Sequence, residues 1–222
     1  GTPFAAFCYL LMVLLYMPRD YILTNESSCV VNIVDASNLE RNLYLTAQLV
    51  EMRVPMIVVV NMLDIAKAHH LEINLDALRE KLGCPVVGLV AARGTGVDEL
   101  RAAVSDFLKH PVVPPMSVKF DEKITAGIKS VEDKLAQLGV ERPNWFAVQL
   151  MENAPGIADK LPVGSVEAVK PLIAPIAKDF DDDLDIAIAD ARYQFVAGVA
   201  EKVIKREGEV TATITDKICS LL

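Results

Sequence analysis

The chain of 222 residues has little cysteine and no excess of positive charge. Its four cysteines, Cys8, Cys29, Cys84 and Cys219, are far apart and include no CxxC spacing. We therefore expect neither a disulfide framework nor a zinc site. The same cysteine usage predicts a protein of a reducing compartment. Lysine and arginine number 22 against 30 acidic residues, a net charge of −8 without a basic stripe, which argues against a nucleic-acid partner. A hydrophobic content of 52% excludes a disordered chain.

Long apolar runs are also scarce, and the one that stands out is residues 3–18, which carry no charge. As a helix this run would be roughly 24 Å long, short of a hydrocarbon core of roughly 30 Å. No basic segment precedes it and no small-residue cleavage motif follows, so it fits a secretory signal poorly. Two interpretations stay open, a truncated membrane span and a buried core segment.

From residue 29 to 109, short β-branched runs alternate with amphipathic helices. The almost wholly apolar Met56–Val60 is typical of a parallel strand covered on both faces. The pattern predicts strands at Cys29–Asp35, Met56–Val60 and Pro85–Val90, and helices at Leu39–Met52, Ile65–His70, Leu75–Leu82 and Val97–Leu108. This alternation predicts an α/β fold with a parallel sheet.

After His110 the pattern changes to helices alone, which predicts a small all-α domain. The proline-rich connector at about 111–116 divides the chain into an apolar segment (1–18), an α/β part (19–112) and a helical part (113–222). No strand-like run of quality comparable to the earlier ones follows His110. The predicted helices are Ser117–Leu138, Asn144–Asn153, Ser165–Lys178, Leu184–Arg206 and, as a possible fifth, Thr211–Leu222.

The chemistry of this fold is expected where the parallel strands end, since ligands bind beyond the carboxyl ends of an open sheet. Asn61 directly follows one strand, Asp64 lies one turn later, and Ala91 and Ala92 follow the next strand about 30 residues on. A carboxylate there can accept two N–H bonds from guanine, and a backbone N–H of the second loop can donate to O6. The alternative is a helix N-terminus capped by Asn61, with Asp64 in its first turn.

The phosphate-binding motifs of GTPases are missing. No G-x-x-x-x-G-K-[ST] occurs anywhere in the chain, no D-x-x-G follows an early strand, and no threonine-bearing switch is present. These parts hold the phosphates, Mg²⁺ and the attacking water. We therefore expect no Mg²⁺ site and no catalytic residue, and weak or absent binding of GTP and GDP.

Residues 29–64 resemble the FeoB-type ferrous iron transport protein, and the likeness extends over about residues 19–222. It continues in the motifs at 83–87, 91–96, 145–152 and 188–193. Met62 stands where most GTPases carry lysine, and methionine there is typical of that family. The resemblance implies that Asn61 and Asp64 contact guanine and that Ala92 offers a backbone contact. Ala91 departs from the serine often found at its position.

The resemblance also implies which domain this chain represents, where it is located and what the family does. The α/β part would be the C-terminal half of a P-loop-GTPase-like domain, on the cytoplasmic side of the bacterial inner membrane. The family couples GTP binding and hydrolysis to Fe(II) uptake through a membrane permease domain, and residues 1–18 resemble a late transmembrane segment of it. Two alternatives stay open: a non-enzymatic helical interaction module, and a membrane-anchored soluble domain.

A further expectation concerns the edge of the sheet. In the family the strand at Cys29–Val34 pairs with the P-loop strand, which this chain lacks. An unpaired apolar edge favours association, so we expect an open edge and a homo-oligomer. Phe4–Tyr16 could pair with that edge as a substitute strand, but its composition favours a helix.

Overall fold

The computed structural model of the chain describes residues 30–115 and 118–206. The predictions for residues 1–18, for Cys29 and for Thr211–Leu222 therefore lie outside the described residues. Within those ranges, no helix combines the length and the apolar character needed to cross a membrane.

The sheet at the start of this structure is parallel, as predicted. Strands β1 (Val30–Asp35), β2 (Met56–Asn61) and β4 (Val86–Gly88) lie in the order β1-β2-β4. Among the described residues β1 pairs with β2 alone. The expectation that Phe4–Tyr16 leaves this edge open concerns undescribed residues, and self-association stays a prediction.

Strand β2 is covered on both faces, because Met56–Val60 are all fully buried. Alternate side chains of a strand point to opposite faces. Met56, Val58 and Val60 accordingly join the main core with helix α1 (Leu39–Glu51), whereas Ile57 and Val59 pack with helix α4 (Val97–Lys109). Each buried valine or isoleucine side chain contributes about 1.5–3 kcal/mol. The doubly covered strand predicted from the sequence is therefore present.

Between β2 and β4 lie the short helix α2 (Leu63–Ala68), strand β3 (Leu71–Ile73) and helix α3 (Leu75–Leu82). The predicted helix Ile65–His70 is misplaced by two residues, because Met62 (φ 60°) starts α2 and His70 (φ 59°) is left-handed beyond its end. In α3, Asn74 accepts a hydrogen bond from the Ala77 N–H, and Gly83 takes the left-handed conformation that ends a helix.

The helical part contains α5 (Glu122–Gln137), α6 (Pro143–Met151), α7 (Ser165–Asp179) and α8 (Leu184–Val203). Helix α8 packs against both α1 and α3, and one continuous hydrophobic core includes residues of the sheet and of the helices. Trp145 and Phe146 are buried in this core. The division at about 111–116 stays a prediction.

The predicted end of the last described helix is wrong. The chain does form a strand after His110, because β5 (Ile204–Arg206) follows α8 and pairs antiparallel with β3. The helix predicted to end at Arg206 therefore ends at Val203. A three-residue strand carries little local pattern, and its partner lies more than a hundred residues away, so the pairing is a tertiary effect.

Candidate functional site at the carboxyl ends of β2 and β4

The predicted site residues at the ends of β2 and β4 lie side by side. The Oδ1 atom of Asn61 accepts a hydrogen bond from the Ala91 N–H at 3.1 Å, across 30 residues of sequence. The Asn61 amide therefore joins the loop after β2 to the loop after β4, which is the second loop of the site. It does not cap a helix: the residue before α2 is Met62, which makes no side-chain cap. The capping alternative for Asn61 is wrong because its side chain bonds the neighbouring loop.

Asp64 lies in the first turn of α2, where the helix dipole favours a carboxylate. Its Oδ1 accepts the Ile65 N–H at 3.0 Å, and its Oδ2 lies 3.6 Å from Nε of Arg93 in the second loop. The Asp64 side chain is 31% exposed and that of Arg93 is 73% exposed. The carboxylate therefore faces the second loop and is reachable from solvent. Met62 is exposed and contributes the left-handed turn that leads into α2.

The second loop is a short, fixed turn. Residues Ala91–Arg93 form one turn of 3₁₀ helix, and the Val90 N–H donates to the Thr95 carbonyl at 3.0 Å. Gly96 has φ 88°, and a Cβ there would lie 2.2 Å from the Gly88 carbonyl oxygen. Ala92 is exposed within this turn. The sharp loop therefore needs glycine at position 96.

The third strand end carries Asp35, which lies opposite Asn61 in the β1–β2 register. Its Oδ1 accepts from the N–H and the hydroxyl of Ser37 at 2.8 and 2.7 Å, and its Oδ2 accepts from Asn38 at 3.3 Å. Burial alone would raise the pKa of Asp35, but the hydrogen bonds from Ser37 and Asn38 outweigh it and lower the pKa below its usual value. This carboxylate holds the turn that starts α1.

A buried ion-pair network joins the α/β part to the helical part, and the sequence analysis assigned it no role. Arg192 of α8 donates to both carboxylate oxygens of Glu51 at 2.8 and 2.9 Å, and its third contact is with Glu152 at the end of α6. The side chains of Arg192 and Glu51 are each 1% exposed, and that of Glu152 is 13% exposed. Gln149 donates to Glu152 at 2.6 Å. The network therefore fixes α1 against α6 and α8.

The sequence contained one signal for this network. Glu152 is the one charged residue of the largely apolar motif 145–152, and Arg192 lies in the motif 188–193, which also contains Asp190. Burial would lower the pKa of Arg192, but its hydrogen bonds to Glu51 and Glu152 outweigh burial and raise the pKa, so Arg192 stays charged. Burial raises the pKa of Glu51, Arg192 opposes that shift, and the Glu152 charge adds to it. Loss of either partner from such a buried network is strongly destabilising, because it leaves the other charge without compensation.

No metal site accompanies these residues. Within 30–115 and 118–206, no group of three or more histidine, cysteine, aspartate or glutamate side chains could hold a metal ion.

The fold and the site define a class: a partial P-loop-GTPase-like sheet followed by a small helical domain. Two family models match the chain, "Ferrous iron transport protein B" over residues 16–104 and "FeoB cytosolic helical domain" over residues 120–205. Together they cover most of the chain. The chain belongs to the ferrous iron transport protein B family, which confirms the resemblance and the α/β fold class drawn from the sequence.

The relatives and solved structures agree with this assignment. The Fe(2+) transporter FeoB of Salmonella typhimurium is 39% identical over 186 residues, which are 82% of this chain and 23% of that protein. The Escherichia coli K12 transporter is 36% identical over 204 residues, 89% of this chain and 26% of that protein. This chain therefore spans about a quarter of the length of these curated relatives.

Two solved structures share the fold. The cytosolic domain of L. pneumophila FeoB has a TM-score of 0.73 at 27% identity, covering 84% of this chain and 72% of that one. NFeoB of S. thermophilus bound to mGMPPNP has a TM-score of 0.74 at 29% identity, covering 83% and 71%.

Proposed function

We propose that this chain contributes the guanine-recognising half of a GTPase domain, with its helical domain, to a ferrous iron transporter. The hydrogen bond from the Ala91 N–H to Asn61 supports this proposal most directly. It joins the two loops whose residues have the chemistry to bind a guanine base. The GMPPNP-bound S. thermophilus relative adds that a protein of this fold binds a guanine nucleotide analogue.

The donor and acceptor pattern of the site suits guanine and opposes adenine. A carboxylate accepts only, so Asp64 matches the N1–H and exocyclic amine of guanine. In this proposal the backbone N–H of Ala92 donates to O6, and the Asn61 amide lies at the purine edge. Adenine offers an acceptor at N1 and a donor at N6, which reverses both contacts. Arg93 must leave the Asp64 carboxylate when a base binds, and its exposure allows that movement.

No P-loop motif is present in the sequence to bind the phosphates of a nucleotide whose base lies at Asp64. Without a P-loop lysine or a Mg²⁺-binding motif in the sequence, we expect binding to depend on about three or four hydrogen bonds at about 0.5–1.5 kcal/mol each. Association costs about 4–15 kcal/mol, so we expect guanine nucleotides to bind at millimolar concentration or more weakly. Hydrolysis needs the missing phosphate contacts, so we expect none above background.

The wider function of the transporter is part of the same proposal. The chain would act on the cytoplasmic side of the bacterial inner membrane, next to the membrane permease domain of the family, with Fe(II) as cargo. Coupling between nucleotide and permease would pass through the helical domain. The contact of α8 with α1 and α3 supports that route. A homo-oligomer remains part of the proposal because of the expected open sheet edge.

The test is an NMR titration of the ¹⁵N-labelled 222-residue chain with GDP and with ADP. We expect GDP to shift the amide signals at 64 and 91–93 at millimolar concentration, and ADP to leave them unchanged. Asp64→Ala abolishes the shifts. Asp76→Ala is the matched control, because Asp76 is also a first-turn aspartate paired with an arginine, in α3. Equal shifts with ADP would contradict guanine recognition.

Two further outcomes test the expected weak binding of guanine nucleotides and the expected absence of GTP hydrolysis. Calorimetry giving a micromolar dissociation constant for GDP would show that other residues bind the phosphates. Phosphate release from GTP that is lost in Asp64→Ala would refute the absence of hydrolysis. Either result would leave the fold assignment intact and change the role of this chain.

A further inference from the structure

A cavity of about 450 Å³, open to solvent, lies between α3, α8 and residues 118–121, which extend the connector to α5. Three lysines line it: Lys81 in the last turn of α3, Lys119 in the connector and Lys202 in the last turn of α8. Phe195 and Gly198 lie on its α8 side. None of these residues belongs to the Asn61–Asp64 site, so this cavity is independent of the proposed guanine contacts.

The three elements are held in place by contacts that do not involve the lysines. The Asn74 N–H at the start of α3 donates to the Val203 carbonyl of α8 at 2.8 Å, and β3 pairs with β5 directly after α8. In the connector, Val118 is buried with Ala191 of α8, and Phe195 packs against the same cluster. The lysine-bearing segments are therefore brought together by the fold.

The charge of this cavity is opposite to that of the chain. Among the described residues no carboxylate lies within 4.0 Å of Lys81, Lys119 or Lys202, and no aspartate or glutamate lines the cavity. The whole chain has a net charge of −8. The helix dipole accounts for lysines in the last turns of α3 and α8. It does not account for Lys119 in the connector, facing the same space.

We propose that this cavity binds a small molecule carrying a phosphate or pyrophosphate group, with its apolar or planar part against Phe195. Three ammonium groups with no carboxylate partner within the described part of the chain suit a multiply charged anion, because charge-assisted hydrogen bonds are the strong ones. A cavity of this size is in the range of small-molecule sites. At Gly198 a Cβ would meet nothing within 4 Å, so the helix surface leaves room for the ligand.

The test is calorimetry of the full 222-residue chain with inorganic pyrophosphate, in variants of equal charge. In the cavity variant Lys81, Lys119 and Lys202 are each changed to Gln. In the matched control three other exposed lysines, Lys109, Lys170 and Lys178, are changed to Gln. Gly198→Leu fills the cavity and keeps all three lysines. A thermal unfolding curve for each variant shows that it is folded.

We expect pyrophosphate to bind the unchanged chain and the control alike, and the cavity variant to bind about tenfold more weakly or not at all. Gly198→Leu should lose binding without a lower unfolding temperature. Three results would overturn the proposal: no binding to the unchanged chain, equal weakening in the control, or unchanged binding by Gly198→Leu. A fourth contradictory result combines two observations: pyrophosphate does not bind, and the chain binds phosphatidylglycerol vesicles in a way that depends on the cavity lysines. That combination would assign the lysines to contact with a membrane surface.

Discussion

Replacement of Arg192 by methionine tests the buried network between the two parts of the chain. Methionine keeps most of the apolar stem and removes the guanidinium. Glu51, 1% exposed, then loses both of its hydrogen bonds from Arg192, and Glu152 loses its charge partner. Removal of one partner from a buried ion pair typically costs about 3–5 kcal/mol.

The magnitude can be bounded from the titration of Glu51. An unpaired buried carboxyl group avoids its charge by binding a proton. For a group whose usual pKa is 4.5, this costs about 3.4 kcal/mol at pH 7 and about 0.7 kcal/mol at pH 5. We therefore expect Arg192→Met to destabilise the chain by about 3 kcal/mol at pH 7 and by clearly less at pH 5.

The sign of this pH dependence follows from linkage. In the variant the folded chain holds a proton on Glu51 that the unfolded chain releases above pH 4.5, so stability falls as the pH rises. The assay is urea unfolding followed by circular dichroism at pH 5 and pH 7. Adding Glu51→Gln to Arg192→Met removes the charge and should remove most of the pH dependence.

Arg101→Met is the matched control, since Arg101 forms an exposed ion pair with Asp98 on α4. Exposed pairs contribute about 0.2–1 kcal/mol at most. The reasoning is refuted if Arg192→Met costs no more than Arg101→Met, or if its cost is the same at both pH values.

The other predictions concern the loops of the site. Asn61→Ala removes the acceptor of the Ala91 N–H and should lower stability by about 1–2 kcal/mol, with faster hydrogen exchange at that amide. Gly96→Ala should lower the unfolding temperature, because its Cβ meets the Gly88 carbonyl; Gly94→Ala, with open space and φ 69°, should cost less. Asp35 has a lowered pKa, so its stabilising effect is present above pH 3.8 and lost as the pH falls below it; Asp35→Asn should flatten that acid limb in unfolding measurements.

The parts of the fold that could be predicted from sequence are those set by local pattern. Met56–Val60 is apolar at every position, and only a strand covered on both faces buries such a run. Asn61 and Asp64 follow it directly, so their place at the sheet edge followed from the strand itself. The loop at 91–93 was placed in the same way, by the end of the next strand.

The remaining features depend on partners distant in sequence. Strands β3 and β5 are three residues each and are stabilised by their pairing with each other. The Arg192 network joins residues 141 positions apart, so no window of sequence contains both Glu51 and its partner. The start of α2 depends on a left-handed Met62, a conformation that residue type does not predict.

The central claim is that Asp64 and its neighbouring loops recognise guanine, and a base exchange tests it most directly. In Asp64→Asn one acceptor oxygen becomes a donor, which suits the 2-oxo group of xanthine and opposes the 2-amino group of guanine. The measurement is an NMR titration of both chains with GDP and with xanthosine diphosphate. We predict that the unchanged chain prefers GDP and that Asp64→Asn prefers xanthosine diphosphate. The same preference in both chains, or no shift at positions 91–93 with either nucleotide, would contradict the account.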